Sequence, residues 1–367
     1  MVIYASRLSP GLLRSVRSVT CSTNRIYNKQ RPGVTPSKPL QMRSLAFASE
    51  PIAKEKEPSQ SALPPSPPPP RETHHSAPSI KEKLPDPEQT PFRFREFDLH
   101  DKVFVVTGGG RGLGLTLAEA LVEAGGKVYC LDRLAEPEKE FRVVQERLGP
   151  KYGGGLFYDH VDVREAGNLD RVISEIAERH GRMDGLIANA AVQNVTPALD
   201  YTPEKIMEML DVNYKGVYRS AVSAARQMIR YNCSGSILLV ASMSGLVANR
   251  DFTSSVYNSS KAAVCQLARS LAMEWGKIVN GRPIRVNALC PGNIITPMVL
   301  KNFEDQPELK EKWENQNMLG RLSEPREYRG AALLCLSDAS SFMTGSNDGE
   351  VVDGEAVEST NGDDYMT

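Results

Sequence analysis

The chain has 367 residues, 24% of them charged, with a formal net charge of −1. That balance leaves no basic footprint for nucleic acid, and no apolar run approaches the roughly 20 residues of a membrane span. Six cysteines (Cys21, Cys130, Cys233, Cys265, Cys290 and Cys335) lack C-x-x-C spacing and the histidines form no ligand pattern, so reduced thiols in a reducing compartment and no metal are expected.

Residues 1–49 hold no Asp or Glu but carry Arg7, Arg14, Arg17, Arg25, Lys29, Arg31, Lys38 and Arg43 among many serines. This composition favours a mitochondrial transit peptide over a secretory signal, which needs a continuous apolar core. The alternative is a disordered basic tail on a cytoplasmic protein. Residues 50–91 read as a linker: Pro64 to Pro70 is almost all proline and favours extended polyproline II. Residues 92–358 then form the folded domain, with a short tail at 359–367.

Val103 to Val106 is an apolar run suited to a buried parallel strand. Thr107-Gly108-Gly109-Gly110-Arg111-Gly112-Leu113-Gly114 follows, and Leu115 to Ala124 reads as a helix closed by Gly125-Gly126. Strand, glycine-rich turn and helix make a phosphate cradle: glycine lets backbone approach a pyrophosphate, and the helix N-terminus attracts its charge. The second strand, Lys127 to Leu131, ends at Asp132, whose carboxylate suits ribose hydroxyls and repels a 2′-phosphate. Its neighbour Arg133 suits such a phosphate, and an ordinary helix N-cap is the plainer role for Asp132. Alternating strands and helices continue: Gly155 to Val163, a helix at Leu169 to His180, Met183 to Ala188, a long helical region from Pro203 to Tyr231, Ser236 to Val240 and Ile284 to Leu289. The pattern predicts a single-domain α/β fold, a Rossmann-type doubly wound parallel sheet with ligands beyond the strand C-termini.

Tyr257-Asn258-Ser259-Ser260-Lys261 places a phenol and an ammonium four residues apart, on one face if helical. A free tyrosine has a pKa of about 10, and a nearby cation lowers it. The pair is a tunable proton donor or acceptor. Ile295 to about Gly320 reads as a lid, with Met298, Leu300, Phe303, Trp313 and Met318 among many charges. Val192, Gln193, Asn194 and Asn249 are candidate substrate contacts.

These motifs, in this order, resemble the short-chain dehydrogenase/reductase family. T-G-x-x-x-G-x-G matches at Thr107, Gly108, Gly112 and Gly114; V-N-x-x-G matches Val212 to Gly216; P-G-x-I-x-T matches Pro291 to Thr296; Thr344-Gly345 and Val352-Asp353-Gly354 match the last-strand pattern. The family's N-N-A-G becomes Ala188-Asn189-Ala190-Ala191. Within the family, Ala241 to Gly245 and Ala268 to Trp275 look like fungal polyol dehydrogenases and sorbose reductases. The resemblance implies Tyr257 as acid/base, Lys261 lowering its pKa and binding the nicotinamide ribose, Ser242 or Ser244 on the substrate oxygen with Ser242 preferred, and Asn213 holding a water that links Lys261 to solvent. It implies a dinucleotide held by Thr107, Gly108, Arg111, Gly112, Leu113, Gly114, Asp132, Asp162, Val163, Asn189, Tyr257, Lys261, Pro291, Ile294 and Thr296. NAD is expected, with NADP the alternative, in a homotetramer acting on a small-molecule secondary alcohol such as a polyol. The competing readings are an NADPH-linked carbonyl reductase and a non-catalytic dinucleotide-binding protein on the same fold.

Overall fold

The computed structural model describes residues 94–249 and 253–348. The expected leader, linker and tail, Cys21 and Val352-Asp353-Gly354 lie outside the described residues. Seven strands in these residues form one parallel sheet: β1 (Val103–Thr107), β2 (Lys127–Asp132), β3 (Gly155–His160), β4 (Gly185–Ala188), β5 (Ser236–Val240), β6 (Arg285–Leu289) and β7 (Asn347–Asp348). Their order across the sheet is β3-β2-β1-β4-β5-β6-β7. The helices are α1 (Gly112–Glu123), α2 (Lys139–Leu148), α3 (Ala166–His180), α4 (Pro203–Leu210), α5 (Val217–Arg230), α6 (Ser255–Trp275), α7 (Pro297–Asp305), α8 (Glu308–Gln316) and α9 (Arg329–Leu336).

Every residue of β1 and of β5 is buried, as the apolar runs Val103 to Val106 and Ile237 to Val240 require of strands covered on both faces. Alternate side chains feed two cores. Leu186 and Ile237 pack with α3, α5 and α6, whereas Ile187 and Leu238 pack with α1, α2 and α9. The chain leaves β1 for one face and β4 for the other. Because these two strands are neighbours, the crevice at their C-terminal ends is the topological switch point where such sheets take ligands.

The predicted elements appear with ends shifted by a few residues, with one departure of substance. The long helix expected from Pro203 to Tyr231 is interrupted by a π-helical turn at Asp211–Gly216, between α4 and α5. An expanded turn of this kind adds a residue to the helix and re-aims the side chains within it. Here it turns Asn213 fully inward. The segment expected as a lid forms the helix pair α7 and α8, where Leu309, Trp313 and Leu322 are buried with Val195, Val299 and Phe303 packed against them. No helix among the described residues is long and apolar enough to cross a membrane, and no His, Cys, Asp and Glu cluster among them is arranged to hold a metal ion.

Candidate active site

A cavity of about 590 Å³ opens beyond the C-terminal ends of β1, β4, β5 and β6. Its first wall is the glycine-rich turn. Gly108 has φ +64°, a left-handed conformation that a Cβ resists, and its N–H donates to the Leu131 carbonyl at 2.7 Å. A Cβ on Gly114 would overlap the Gly108 carbonyl oxygen and stand 2.6 Å from Asn189 Nδ2. Asn189 Nδ2 in turn donates to that carbonyl at 3.0 Å. Thr107 Oγ1 accepts from the Asn189 and Ala190 N–H groups at 3.2 and 3.3 Å. Gly108, Arg111, Gly112, Leu113 and Asn189 therefore line the cavity, while Thr107 and Gly114 hold the wall from behind. The result is bare backbone beside the N-terminus of α1, whose first N–H groups lack helical partners. Such a cradle fits a dinucleotide pyrophosphate.

Asp132 lines the cavity at the end of β2. Its carboxylate accepts from the Gly110 N–H at 3.0 Å and the Leu134 N–H at 3.3 Å. A Cβ on Gly110 would meet it at 3.0 Å. Asp162 and Val163 line the cavity beside it. Arg164 grips the Asp162 carboxylate with Nε at 3.0 Å from both oxygens and Nη2 at 2.6 Å, and this pairing holds the carboxyl below its ordinary range. Arg164 also lines the cavity, as does Arg133. Arg164 escaped the sequence reading; the signal available was a cation two residues after the carboxylate at a strand end. Arg111 lines the cavity too, with its guanidinium paired to Glu138 at 2.7 Å.

On the opposite side α6 presents Tyr257 and Lys261, both buried and both lining the cavity. The Lys261 ammonium lies 5.6 Å from the centre of the Tyr257 ring and donates to the Val240 carbonyl at 2.9 Å. The electrostatics differ from expectation. Burial pushes the Tyr257 phenol up to about 12, opposed by a hydrogen bond with Ser242, and Lys261 does not depress it. Burial also pulls Lys261 down to about 8. Desolvation is thus the largest influence on both groups.

Ser242 follows β5 by two residues, accepts from the Ser244 N–H at 3.1 Å and shares the hydrogen bond with Tyr257. Ser244 also lines the cavity. Of the two serines, Ser242 is the one joined to the phenol. Asn213 does not line the cavity. Its Nδ2 donates to the Val192 carbonyl at 2.9 Å and to Ser260 Oγ at 3.1 Å, and its Oδ1 accepts from the Val192 N–H at 2.8 Å. Ser260 then donates to the Tyr257 carbonyl at 2.7 Å. Both amide hydrogens are thereby engaged by protein, and the side chain fastens the loop after β4 to α6.

Pro291, Ile294 and Thr296 line the cavity after β6, and the Pro291 carbonyl accepts from the Met243 N–H at 2.9 Å. Thr296 caps α7 through Oγ1, which accepts from the Val299 N–H at 3.4 Å. From the segment expected as a lid, Met298 and Trp313 reach the cavity; Leu300 and Met318 are exposed, and Phe303 packs edge-on against Trp313. Val192, Gln193 and Asn249 line the cavity. Asn194 does not: its side chain accepts from Thr196 Oγ1 at 2.9 Å. Gln193 Oε1 accepts from Asn302 Nδ2 on α7 at 3.3 Å, tying that helix to the loop after β4.

Residues 108–354 match a family model described as Enoyl-(Acyl carrier protein) reductase. The chain is 37% identical over 252 residues to the short chain dehydrogenases/reductase notP′ of Aspergillus versicolor, covering 68% of this chain and 86% of that protein. It is 35% identical to a ribulose-forming D-arabinitol 2-dehydrogenase of Candida albicans, covering 70% and 93% of the two chains, and 35% identical to a sorbose reductase of Candida albicans, covering 68% and 86%. Among solved structures, a short-chain type dehydrogenase/reductase of Mycobacterium marinum superposes with a TM-score of 0.63 at 32% identity, covering 69% of this chain and 95% of that one. An NADPH-dependent 3-quinuclidinone reductase of Rhodotorula rubra gives 0.63 at 31% identity, covering 74% and 96%. The chain belongs to the short-chain dehydrogenase/reductase family and resembles its fungal polyol dehydrogenases. It is an oxidoreductase acting on CH–OH groups with a nicotinamide dinucleotide.

Proposed function

We propose that the protein oxidises a polyol-type secondary alcohol with NAD, with Tyr257 as the proton-transferring group. The observation that carries this reading is the meeting of Tyr257, Ser242 and Lys261 at one buried wall of the cavity. The bound nicotinamide supplies the hydride acceptor or donor. Tyr257 takes the proton of the substrate hydroxyl in oxidation and returns it in reduction. Burial opposes ionisation of the phenol, and the Ser242 hydrogen bond works against that penalty. Lys261, at about 8, is largely protonated at neutral pH and holds its ammonium 5.6 Å from the centre of the phenol ring. One of its hydrogens is given to Val240, which leaves two for the nicotinamide ribose. Ser242 stabilises charge developing on the substrate oxygen. Asn213 and Ser260 keep the β4 loop and α6 in register around these groups.

The preference for NAD rests on Asp132, whose carboxylate is fixed by two backbone donors where it would repel a 2′-phosphate. A second reading, NADPH-linked ketose reduction, draws support from Arg133 and Arg164 on the same part of the cavity wall. The basic leader is read as a mitochondrial transit segment and the assembly as a homotetramer; N-terminal sequencing of the mature chain and light scattering test those two points.

Rates on a panel of polyols and ketoses with each dinucleotide test the reading. Oxidation of an acyclic polyol with NAD is expected. Tyr257→Phe should lower turnover by about 10²- to 10⁴-fold, the usual weight of general acid–base catalysis, while dinucleotide binding persists. Near-normal turnover in that variant removes the mechanism.

A further inference from the structure

Behind Lys261 two thiols meet. Cys265 lies four residues, about one helical turn, further along α6 and so on the same face. Cys290 follows β6 directly and precedes Pro291, which lines the cavity. Both are buried. Their sulfurs stand 3.7 Å apart, in hydrogen-bonding contact, and are not joined as a disulfide. The two elements that bring them together also carry the site: α6 holds Tyr257 and Lys261, and β6 leads into the loop of Pro291, Ile294 and Thr296. The proposed chemistry uses neither thiol.

We propose that Cys265 and Cys290 are a redox-modification site, which hydrogen peroxide converts to a disulfide that disables the wall carrying Lys261. In the first step the Cys265 thiolate attacks one peroxide oxygen and the O–O bond breaks. The sulfur becomes a sulfenic acid, and the departing hydroxide takes up a proton to leave as water. The Cys290 sulfur, giving up its proton, then displaces the sulfenic hydroxyl as a second water and forms the S–S bond. Together the two thiols lose two electrons and two protons, and one peroxide is reduced to two waters.

The environment favours this pair over Cys130 and Cys233. The hydrogen bond from Cys290 holds the Cys265 thiol below its ordinary range, with Arg269 and Lys261 adding to the effect against the opposing influence of burial. Burial instead pushes the Cys130 and Cys233 thiols up, away from the reactive thiolate. Peroxide is little larger than water, and one helical turn separates Cys265 from Lys261 in the cavity wall. To bond, the sulfurs must close from 3.7 Å to about 2.05 Å. That closure loads α6 one turn from Lys261 and the residue before Pro291. Close-packed interiors pass such a shift on to their neighbours. The Lys261 to Val240 hydrogen bond, at 2.9 Å, has little length to give.

The effect on turnover rests on the role proposed above for Lys261; formation of the disulfide does not. The full chain, reduced and then treated with hydrogen peroxide, is quenched with N-ethylmaleimide and digested for peptide mass mapping. A peptide pair joined through Cys265 and Cys290 is expected, with turnover falling at least about tenfold, equivalent to 1.4 kcal/mol, and returning with dithiothreitol. Cys265→Ser should keep most of its turnover through the same treatment; Cys265→Ala serves if the serine variant does not fold. Absence of the joined peptide overturns the proposal, as does the joined peptide with unchanged turnover, or a Cys265 variant inactivated as fast as the parent. Should no alcohol be turned over, dinucleotide titration before and after peroxide supplies the activity-independent readout: unchanged affinity in the joined protein counts against the switch, and weakened affinity supports it.

Discussion

On the β1 side of the cavity, Gly114 and Ala190 press their backbone against that of Gly108, and the Asn189 amide side chain bonds the Gly108 carbonyl. On the α7–α8 side it is a small apolar cluster and one amide–amide hydrogen bond. At Gly108 and Gly114 the first wall accepts no added atom. The second keeps Leu300 and Met318 exposed and shows the cavity Met298, Val299, Lys301 and Trp313, side chains of unlike chemistry. A dinucleotide has the same pyrophosphate whatever alcohol is oxidised, so its cradle can be built rigidly. The alcohol varies between relatives, and on the proposed function the wall that would meet it is the one built from side-chain contacts.

The largest effect should come from breaking the rigid wall. Gly114→Ala drives a methyl into the Gly108 carbonyl and to 2.6 Å from Asn189 Nδ2. Overpacking of this kind costs about 1–3 kcal/mol of stability. Dinucleotide affinity should fall by about a hundredfold, roughly 2.8 kcal/mol, as the cradle is spread. Fluorescence titration checks the second figure, and unaltered affinity would falsify the cradle.

Between the two walls stands Lys261, and its effect should be smaller and pH-dependent. It titrates at about 8 in the folded protein against 10.5 when exposed. Between those values the unfolded chain binds more protons, so stability rises with pH there. The penalty for burying the ammonium is complete below about pH 8 and fades towards pH 10.5. Lys261→Met removes it, so the variant's unfolding free energy relative to the parent should drop by on the order of 2 kcal/mol between about pH 7 and pH 10. Tyr257 works in the opposite sense only above about pH 10, since its folded value is raised to about 12. Urea unfolding at the two pH values decides; a difference that does not move with pH contradicts the burial reading.

The rigid wall was also the legible one. Apolar runs such as Val103 to Val106 and Ser236 to Val240 are local signals, and the glycine spacing after β1 reports a close approach that no other residue allows. Spacing placed Tyr257 and Lys261 on one face correctly, yet depth of burial, which no local pattern encodes, reverses the expected pKa of the phenol. The π-helical turn at Asp211–Gly216 is hidden for a related reason: a single extra residue leaves the apolar rhythm on either side intact, so Asn213 reads as an ordinary helix position. The grip of Arg164 on Asp162 is a choice of rotamer between neighbours two apart, and Asn194 turns to Thr196 by a local hydrogen bond. None of these leaves a trace in composition or periodicity.

The smallest effect should come from the wall of side-chain contacts, and it discriminates best. Asn302 does not line the cavity but bonds Gln193, which does, at 3.3 Å. A hydrogen bond of this neutral, half-buried kind contributes about 0.5–1.5 kcal/mol. Asn302→Ala should therefore raise KM for the alcohol by about two- to tenfold, with dinucleotide affinity unmoved because the cradle lies on the other wall. Gln193 itself lines the cavity, so Gln193→Ala alone confounds lost lid closure with lost substrate contact. The double variant separates them. If the bond holds the lid, the two changes are non-additive by about the strength of the bond. If the costs simply add, the lid is held by Trp313 and its apolar neighbours, and the Gln193–Asn302 contact is incidental.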